Sequence, residues 1–207
     1  MEQVSPTRTE LLTRRSQIRL AEQGAKLLRD KREALVREFL QEIRTFKSDR
    51  DELLQTLAKA TRSLLRAIYI DTPESIRAVS FATRREVDVE FSEQNIWGTK
   101  VVNADSAYHV RHPQEREYSL LGTTARIDET VYRFEQTVAG IIRVAPRFHK
   151  LGRLAEEIRK TSRRVNALEQ RLLPTLTEQV SYIRGVLDQR EREDIFRLKR
   201  IKRRRQG

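Results

Sequence analysis

Apolar residues in the first third of the chain recur every seven positions. Leu11, Ile18, Ala25, Phe39, Phe46, Leu53 and Ala60 hold this spacing, and Arg32 takes the one intervening place. Ala21, Leu28 and Leu35 supply companion positions, and Ile43, Leu57 and Leu64 continue near them. This is the heptad signature of a long helix with one narrow apolar seam. Pro6 suits a helix start, and Thr7 with Glu10 has capping-box spacing. With no proline between Thr7 and Thr72, the pattern predicts a helix over residues 7–67, ~90 Å long at ~1.5 Å per residue.

A second stripe occupies the last third. Leu151, Leu154, Ile158, Val165, Leu168 and Leu172 alternate three and four apart, with polar Thr161 taking one turn. Beyond Pro174 the stripe resumes at Leu176, Val180, Ile183 and Leu187 and reaches Ile195 and Leu198. The heptad register slips where Pro174 falls, which predicts a bend within a continuing rod rather than a helix end. Upstream, Ile127, Val131, Phe134, Val138 and Ile141 form a helical stripe after Gly122-Thr123-Thr124. Pro146 is expected to kink or break that helix, so that the C-terminal rod starts near Arg147.

Between the rods the character changes near Asp71-Thr72-Pro73. A short helix is expected over 73–83. From Arg85 to Phe91 the chain alternates, with Val87, Val89 and Phe91 on one side and Glu86, Asp88 and Glu90 on the other, a strand period. SEQNIWG follows, and Thr99 to Val102 reads as a return strand, so a small hairpin is expected. Trp97 beside Gly98 reads as its apolar anchor, with a partner-binding role as the alternative. Residues 103–119 read as loop. Gly24 and Gly185 lie inside the rods, either for close approach of another backbone or as tolerated surface glycines.

Two rods of matched length joined by fifty-odd residues fold back most simply on each other. The expectation is a mainly α protein: a long antiparallel two-helix coiled coil with a small middle insert containing a short β-hairpin. The segments are an N-terminal coiled-coil helix (7–67), the insert (68–122) and a C-terminal helical region (123–204), in one structural unit. A parallel homodimer is the competing arrangement. Composition agrees with long helices: 38% hydrophobic against 35% charged, with seven Gly and five Pro in 207 residues. Uniform heptads argue against disorder.

Charge adds direction. The chain carries +12, and residues 190–207 hold nine Lys/Arg against three Asp/Glu, which is half of it. Such an end seeks an acidic partner: nucleic acid, anionic lipid or an acidic protein surface. No zinc finger, zipper-linked basic region or stacking platform accompanies it. For a lipid-binding bundle, the charge would have to spread along a face. MEQVSPTRTELL lacks a signal-peptide apolar core, and no apolar run approaches the ~18 residues of a membrane span. A soluble or peripheral protein without direct membrane insertion is therefore expected.

Candidate chemistry is sparse. There is no cysteine, so neither a disulfide nor a thiolate metal site can form. The seven glycines match neither a P-loop nor a dinucleotide fingerprint. His109 and His112 lack an evident third ligand. Glu156-Glu157 and Glu191-x-Glu193-Asp194 read as exposed helix carboxylates rather than acid–base dyads. No catalytic residue, cofactor or metal is expected.

Specific runs carry a resemblance. PTRTELL and RLAEQGAKLLRDKREAL near the N-terminus, with AEEIRKTSRRVNALEQRLLP and REREDIFRLKRIK near the C-terminus, are similar to the D subunit of V-type/A-type rotary ATPases and ATP synthases. NIWGTKV resembles that family's hairpin segment more loosely. Pro146 and the stretch from His109 to Tyr118 have no matching feature. The resemblance implies a non-catalytic central-stalk axle on the cytoplasmic side of a membrane, peripheral to it. The tip carrying both termini would enter the head formed by the catalytic and non-catalytic A and B subunits. The other end would meet the stalk's F subunit and the funnel subunit on the ion-carrying rotor ring, and no nucleic acid is expected. On this reading Arg163, Arg164, Lys199, Arg200, Lys202 and Arg203 face acidic loops of the head. The stretch Val87–Val101, with Val89, Phe91 and Trp97, docks or regulates at the lower end.

Overall fold

A computed structural model describes residues 5–112, 115, 118 and 123–206. Helix α1 spans Arg8–Ile70, α2 Pro73–Ala82, strands β1 Glu90–Ile96 and β2 Thr99–Asp105, α3 Ala125–Ala167 and α4 Leu173–Gln206. A π-helical turn, Leu168–Leu172, joins α3 to α4. The fold is the expected one: two long helical stretches flanking a small antiparallel sheet in sequence. The start of α1 follows from its cap, since the Glu10 N–H donates to Thr7 Oγ1 at 3.2 Å, satisfying one of the first-turn donors.

The chain forms two compact units, 1–34 with 158–207 and 35–157. In the first, the helices run antiparallel, as Arg8 pairs with Glu191 at 2.7 Å and Arg29 with Glu169 at 2.7 Å. Ala21, Ala25, Ala34, Thr161, Val165, Leu176 and Ile183 are buried; Leu11, Ile18, Leu28, Ile158, Leu168, Val180 and Leu187 are half-buried. Leu172 differs from its expected seam position and is 42% exposed.

The physical reason is the π turn. Eight residues separate Leu168 from Leu176 where the heptad has seven. A π turn accommodates one extra residue by closing hydrogen bonds over i→i+5, and the Leu173 N–H does donate to the Leu168 carbonyl. The register slip seen near Pro174 therefore takes the form of a single widened turn. Leu172 is carried off the seam, and Leu176 and Ile183 return to it. Pro174, just inside α4, lacks the N–H that a regular helix needs.

In the second unit α1 and α3 again run antiparallel. Leu35, Ala60, Ala67, Ile127, Val144, Leu151 and Leu154 are buried, and Phe39, Phe46 and Leu53 half-buried. Pro146 does not break the helix. It lies inside α3, which continues to Ala167, although a proline in a helix interior costs about 3 kcal/mol. Charge contacts to α1 flank it on both sides. Arg143 meets Glu52 at 2.6 Å, Arg147 meets Glu42 at 3.2 Å and Asp49 at 3.0 Å, and Lys150 meets Glu38 at 3.1 Å and Glu42 at 2.7 Å. Buried Val144 and Leu151 fix the apolar side of the same stretch.

The hairpin is displaced from its expected place. Residues 84–89 are irregular, so Val87 and Val89 are outside the strand, while Glu90–Ile96 is β1 and pairs Ile96 with Thr99. The turn decides this. Trp97 (φ 51°) and Gly98 (φ 78°) both have positive φ, the requirement of a two-residue type I′ turn. A turn that short makes SEQNI a strand, and one solvated face lets polar residues occupy it. Thr99 and Val101 bury the other face. Trp97 is not an apolar anchor: it is 62% exposed, and positive φ at a bulky residue costs roughly 1–3 kcal/mol. Added Cβ atoms at Gly24 and Gly185 meet nothing within 4 Å, so among the described residues no backbone from elsewhere in the chain approaches them closely.

Candidate functional site

Two surfaces hold most of the residues singled out above; Arg163 and Arg164 lie apart from both, near the end of α3. The first is the end of α4. The Arg190 guanidinium donates to the Pro6 carbonyl at 3.3 Å, and Arg8 holds Glu191. Because α1 begins at Arg8, nothing from it extends further, and residues 191–203 are exposed throughout. Ile195 and Leu198 therefore do not continue the seam, and Phe196 and Ile201 are exposed with them. Lys199, Arg200, Lys202 and Arg203 make no ion pair among the described residues, and neither do the exposed Arg163 and Arg164. Without carboxylates to neutralise them, these groups present a positive field to whatever approaches.

The second surface is the hairpin with its mounting. Phe91 is 73% exposed, on the face opposite Thr99 and Val101. Below the hairpin its two legs are tied together. Ser106 Oγ donates to the Asp88 carbonyl at 2.7 Å, Arg85 donates to the His109 carbonyl at 3.3 Å, and the Arg85 guanidinium lies 4.9 Å from the centre of the Tyr108 ring. Arg111 then fixes the mounting to the helices. Its guanidinium is 2.6 Å from Glu135 on α3 and donates at 3.1 Å to the Thr83 carbonyl just past α2; its backbone N–H also donates to Glu135 at 2.8 Å. The pair is largely buried, with side chains 11% and 8% exposed. Such a pair holds only because hydrogen bonds fill its remaining sites. Burial, then the Glu135 carboxylate, pushes the Tyr108 hydroxyl up from its ordinary value.

Arg111, Glu135, Tyr108 and Ser106 have no warning in the sequence. Their partners lie 18 to 28 residues away and follow no periodicity. A half-open cavity of ≈ 370 Å³ adjoins them, lined by Leu64, Ile76, Val79, Val131, Phe134 and Val138, with Arg85, Tyr108, Arg111 and Glu135 on its polar wall. His109 Nε2 is 3.8 Å from Glu115. Among the described residues no three His, Asp or Glu side chains are placed to hold a metal, and no helix is long and apolar enough to cross a membrane.

Residues 10–203 match the family model described as the D subunit of ATP synthase. The chain belongs to the ATP synthase D subunit family. It is 43% identical over 202 residues to the D subunit of the V-type ATP synthase of Thermus thermophilus, covering 98% of this chain and 89% of that one. To the A-type ATP synthase D subunit of Methanosarcina mazei it is 38% identical over 199 residues, covering 96% and 95%. The relative from Pyrococcus horikoshii, also an A-type D subunit, is 36% identical, covering 96% and 93%. A family match of this length takes in both surfaces, the basic end and the hairpin.

Proposed function

We propose that this chain is the non-catalytic central-stalk subunit of a V/A-type rotary ATPase or ATP synthase. It sits peripherally on the cytoplasmic side of the membrane and transmits torque between the catalytic head and the H+- or Na+-carrying ring. The observation that carries this reading is the D subunit match from residue 10 to 203. The physical properties of the chain support it. Paired helices resist twisting better than one, and charge contacts such as Lys150 with Glu38 and Glu42 lock their faces in register. The exposed, unpaired cations at Lys199, Arg200, Lys202 and Arg203 suit a tip that moves against acidic loops of the head, because solvated charge contacts re-form where a buried apolar plug would stick. Arg163 and Arg164 offer further exposed cations to the head from farther back along the rod, on α3, while Val87, Val89, Phe91 and Trp97 belong to a lower contact region that meets the F subunit and the funnel subunit.

Co-purification tests the reading: the tagged chain is expected to bring down the head subunits and the F subunit as a stable complex. Recovery of nucleic acid instead, with steep salt dependence, would replace it by a basic coiled-coil scaffold. Within the complex, changing Lys199, Arg200, Lys202 and Arg203 together to Gln should lower assembly or ATPase rate; unchanged values would remove these residues from the head contact. Deleting the hairpin should alter turnover or coupling with the long helices intact.

A further inference from the structure

Trp97 is the one non-glycine residue at positive φ among the described residues. A type I′ turn accepts Asn, Asp or Gly there without strain, so the indole occupies a place its backbone disfavours. It makes no hydrogen bond or ring contact among the described residues, and it is 62% exposed. Phe91 is likewise exposed on the solvent face of β1. Phe91 pairs with Ala104 near the base of the hairpin and Trp97 forms its turn, so exposed aromatics, the groups that anchor protein interfaces, mark both ends of it.

Charge identifies the partner's chemistry. The chain is +12, yet from Glu86 to Asp105 the charged residues are Glu86, Asp88, Glu90, Glu93 and Asp105 against Lys100 alone. All five carboxylates are exposed, and among the described residues only Glu93 has an ion-pair partner, Lys100 at 3.3 Å. An acidic strand repels nucleic acid and anionic lipid. It favours a protein surface bearing Lys or Arg, whose cations also stack on indole faces.

We propose that the hairpin docks along its length, by Trp97 at the turn and Phe91 near the base of β1, on a surface of another subunit of the rotary complex that bears Lys or Arg opposite the hairpin's carboxylates. This rests on the stalk reading above and adds the chemistry of the contact. The Arg111–Glu135 pair holds the segment that follows the hairpin against α3.

The test places a photoreactive phenylalanine analogue at position 97 of the full chain in the assembled complex. Cross-linked peptides are then sequenced. The expected product is one segment of another subunit, with Lys or Arg within a few residues of the cross-link. No product, a lipid adduct, a second copy of this chain or an acidic segment overturns the docking proposal while leaving the stalk reading in place. Failure of the unsubstituted chain to enter the complex overturns both. A second variant separates docking from folding. Trp97→Asn should leave the unfolding midpoint unchanged or raised, yet lower cross-linking from position 91 about tenfold, a shift of ~1.4 kcal/mol. Undiminished cross-linking would show the indole to be dispensable. Changing Glu86→Gln, Asp88→Asn and Glu90→Gln together should reduce cross-linking from position 97 and flatten its salt dependence. No change in either removes the basic partner.

Discussion

Gly140 on α3 lies against Leu53 on α1: a Cβ at position 140 would stand 2.9 Å from Leu53 Cδ1. A single Cβ fits here once the end of the Leu53 side chain turns aside, and a branched side chain asks for more room. Gly140→Val is therefore expected to destabilise by about 1–3 kcal/mol through overpacking. Gly24→Ala and Gly185→Ala, which open onto free space, should each stabilise by about 0.5–1 kcal/mol. Urea unfolding of the three variants checks the contrast.

The Arg111–Glu135 pair should be costly to break and cheap to replace. Arg111→Met leaves the Glu135 carboxylate buried without its cation, with an expected loss of about 3–5 kcal/mol. The double variant Arg111→Met with Glu135→Met should lose less than either single change, because no buried charge is orphaned. Hydrogen exchange should show residues 106–112 losing protection first in the single variants.

Stability should depend on pH at both extremes through separable groups. Burial opposes the charge on Lys150, but hydrogen bonds to Glu42 and Glu38 outweigh it and raise the ammonium above its ordinary value. A raised lysine stabilises the fold fully below its unfolded pKa of ~10.4 and loses that contribution as pH climbs through the folded value. Lys150→Met should thus reduce the loss of stability between neutral and strongly alkaline pH. Asp71 behaves oppositely. The Arg126 guanidinium holds its carboxyl below the usual range, so its contribution is present above ~3.9 and fades as pH falls through the lower folded value. Asp71→Asn should flatten that acid limb, read by thermal melts across the range.

The π turn absorbs one residue, so removing one there should be tolerated. Deleting Gln170 together with Pro174→Ala is expected to convert Leu168–Leu172 to regular helix and keep Leu176 and Ile183 on the seam, with the melting temperature within a few degrees of the parent. Deleting Ser181 instead shifts Ile183 and Leu187 off the seam and should lower it much further. Similar losses for both deletions would mean that the turn carries no register correction.

Much of the helical architecture was legible because heptads are local. Leu11, Ile18, Ala25 and Leu35 on one stretch, with Leu151, Leu154 and Val165 on the other, declare their shared faces by spacing alone, and those positions are buried or half-buried. The slip near Pro174 was legible for the same reason: one surplus residue in a strict period shows by counting. Pro146 was misread because a local penalty of about 3 kcal/mol was set against nothing. The Arg143, Arg147 and Lys150 contacts that flank it, together with buried Val144 and Leu151, become visible only once α1 lies alongside.

Periodicity by itself determined that this chain makes long, narrowly apolar helices, and composition that its basic charge gathers at the C-terminal end; matched rod lengths favoured folding back over a parallel dimer without deciding it. Its quoted runs also pointed to the D subunit family. Only the tertiary structure decided that α1 starts too late to cover Ile195 and Leu198, that the hairpin turns at Trp97-Gly98, and that Arg111 and Glu135 anchor it. The reason is range. A seam repeats within a few residues and can be read by eye, whereas a turn's φ angles and a pair 24 residues apart are settled by what the rest of the fold brings next to them.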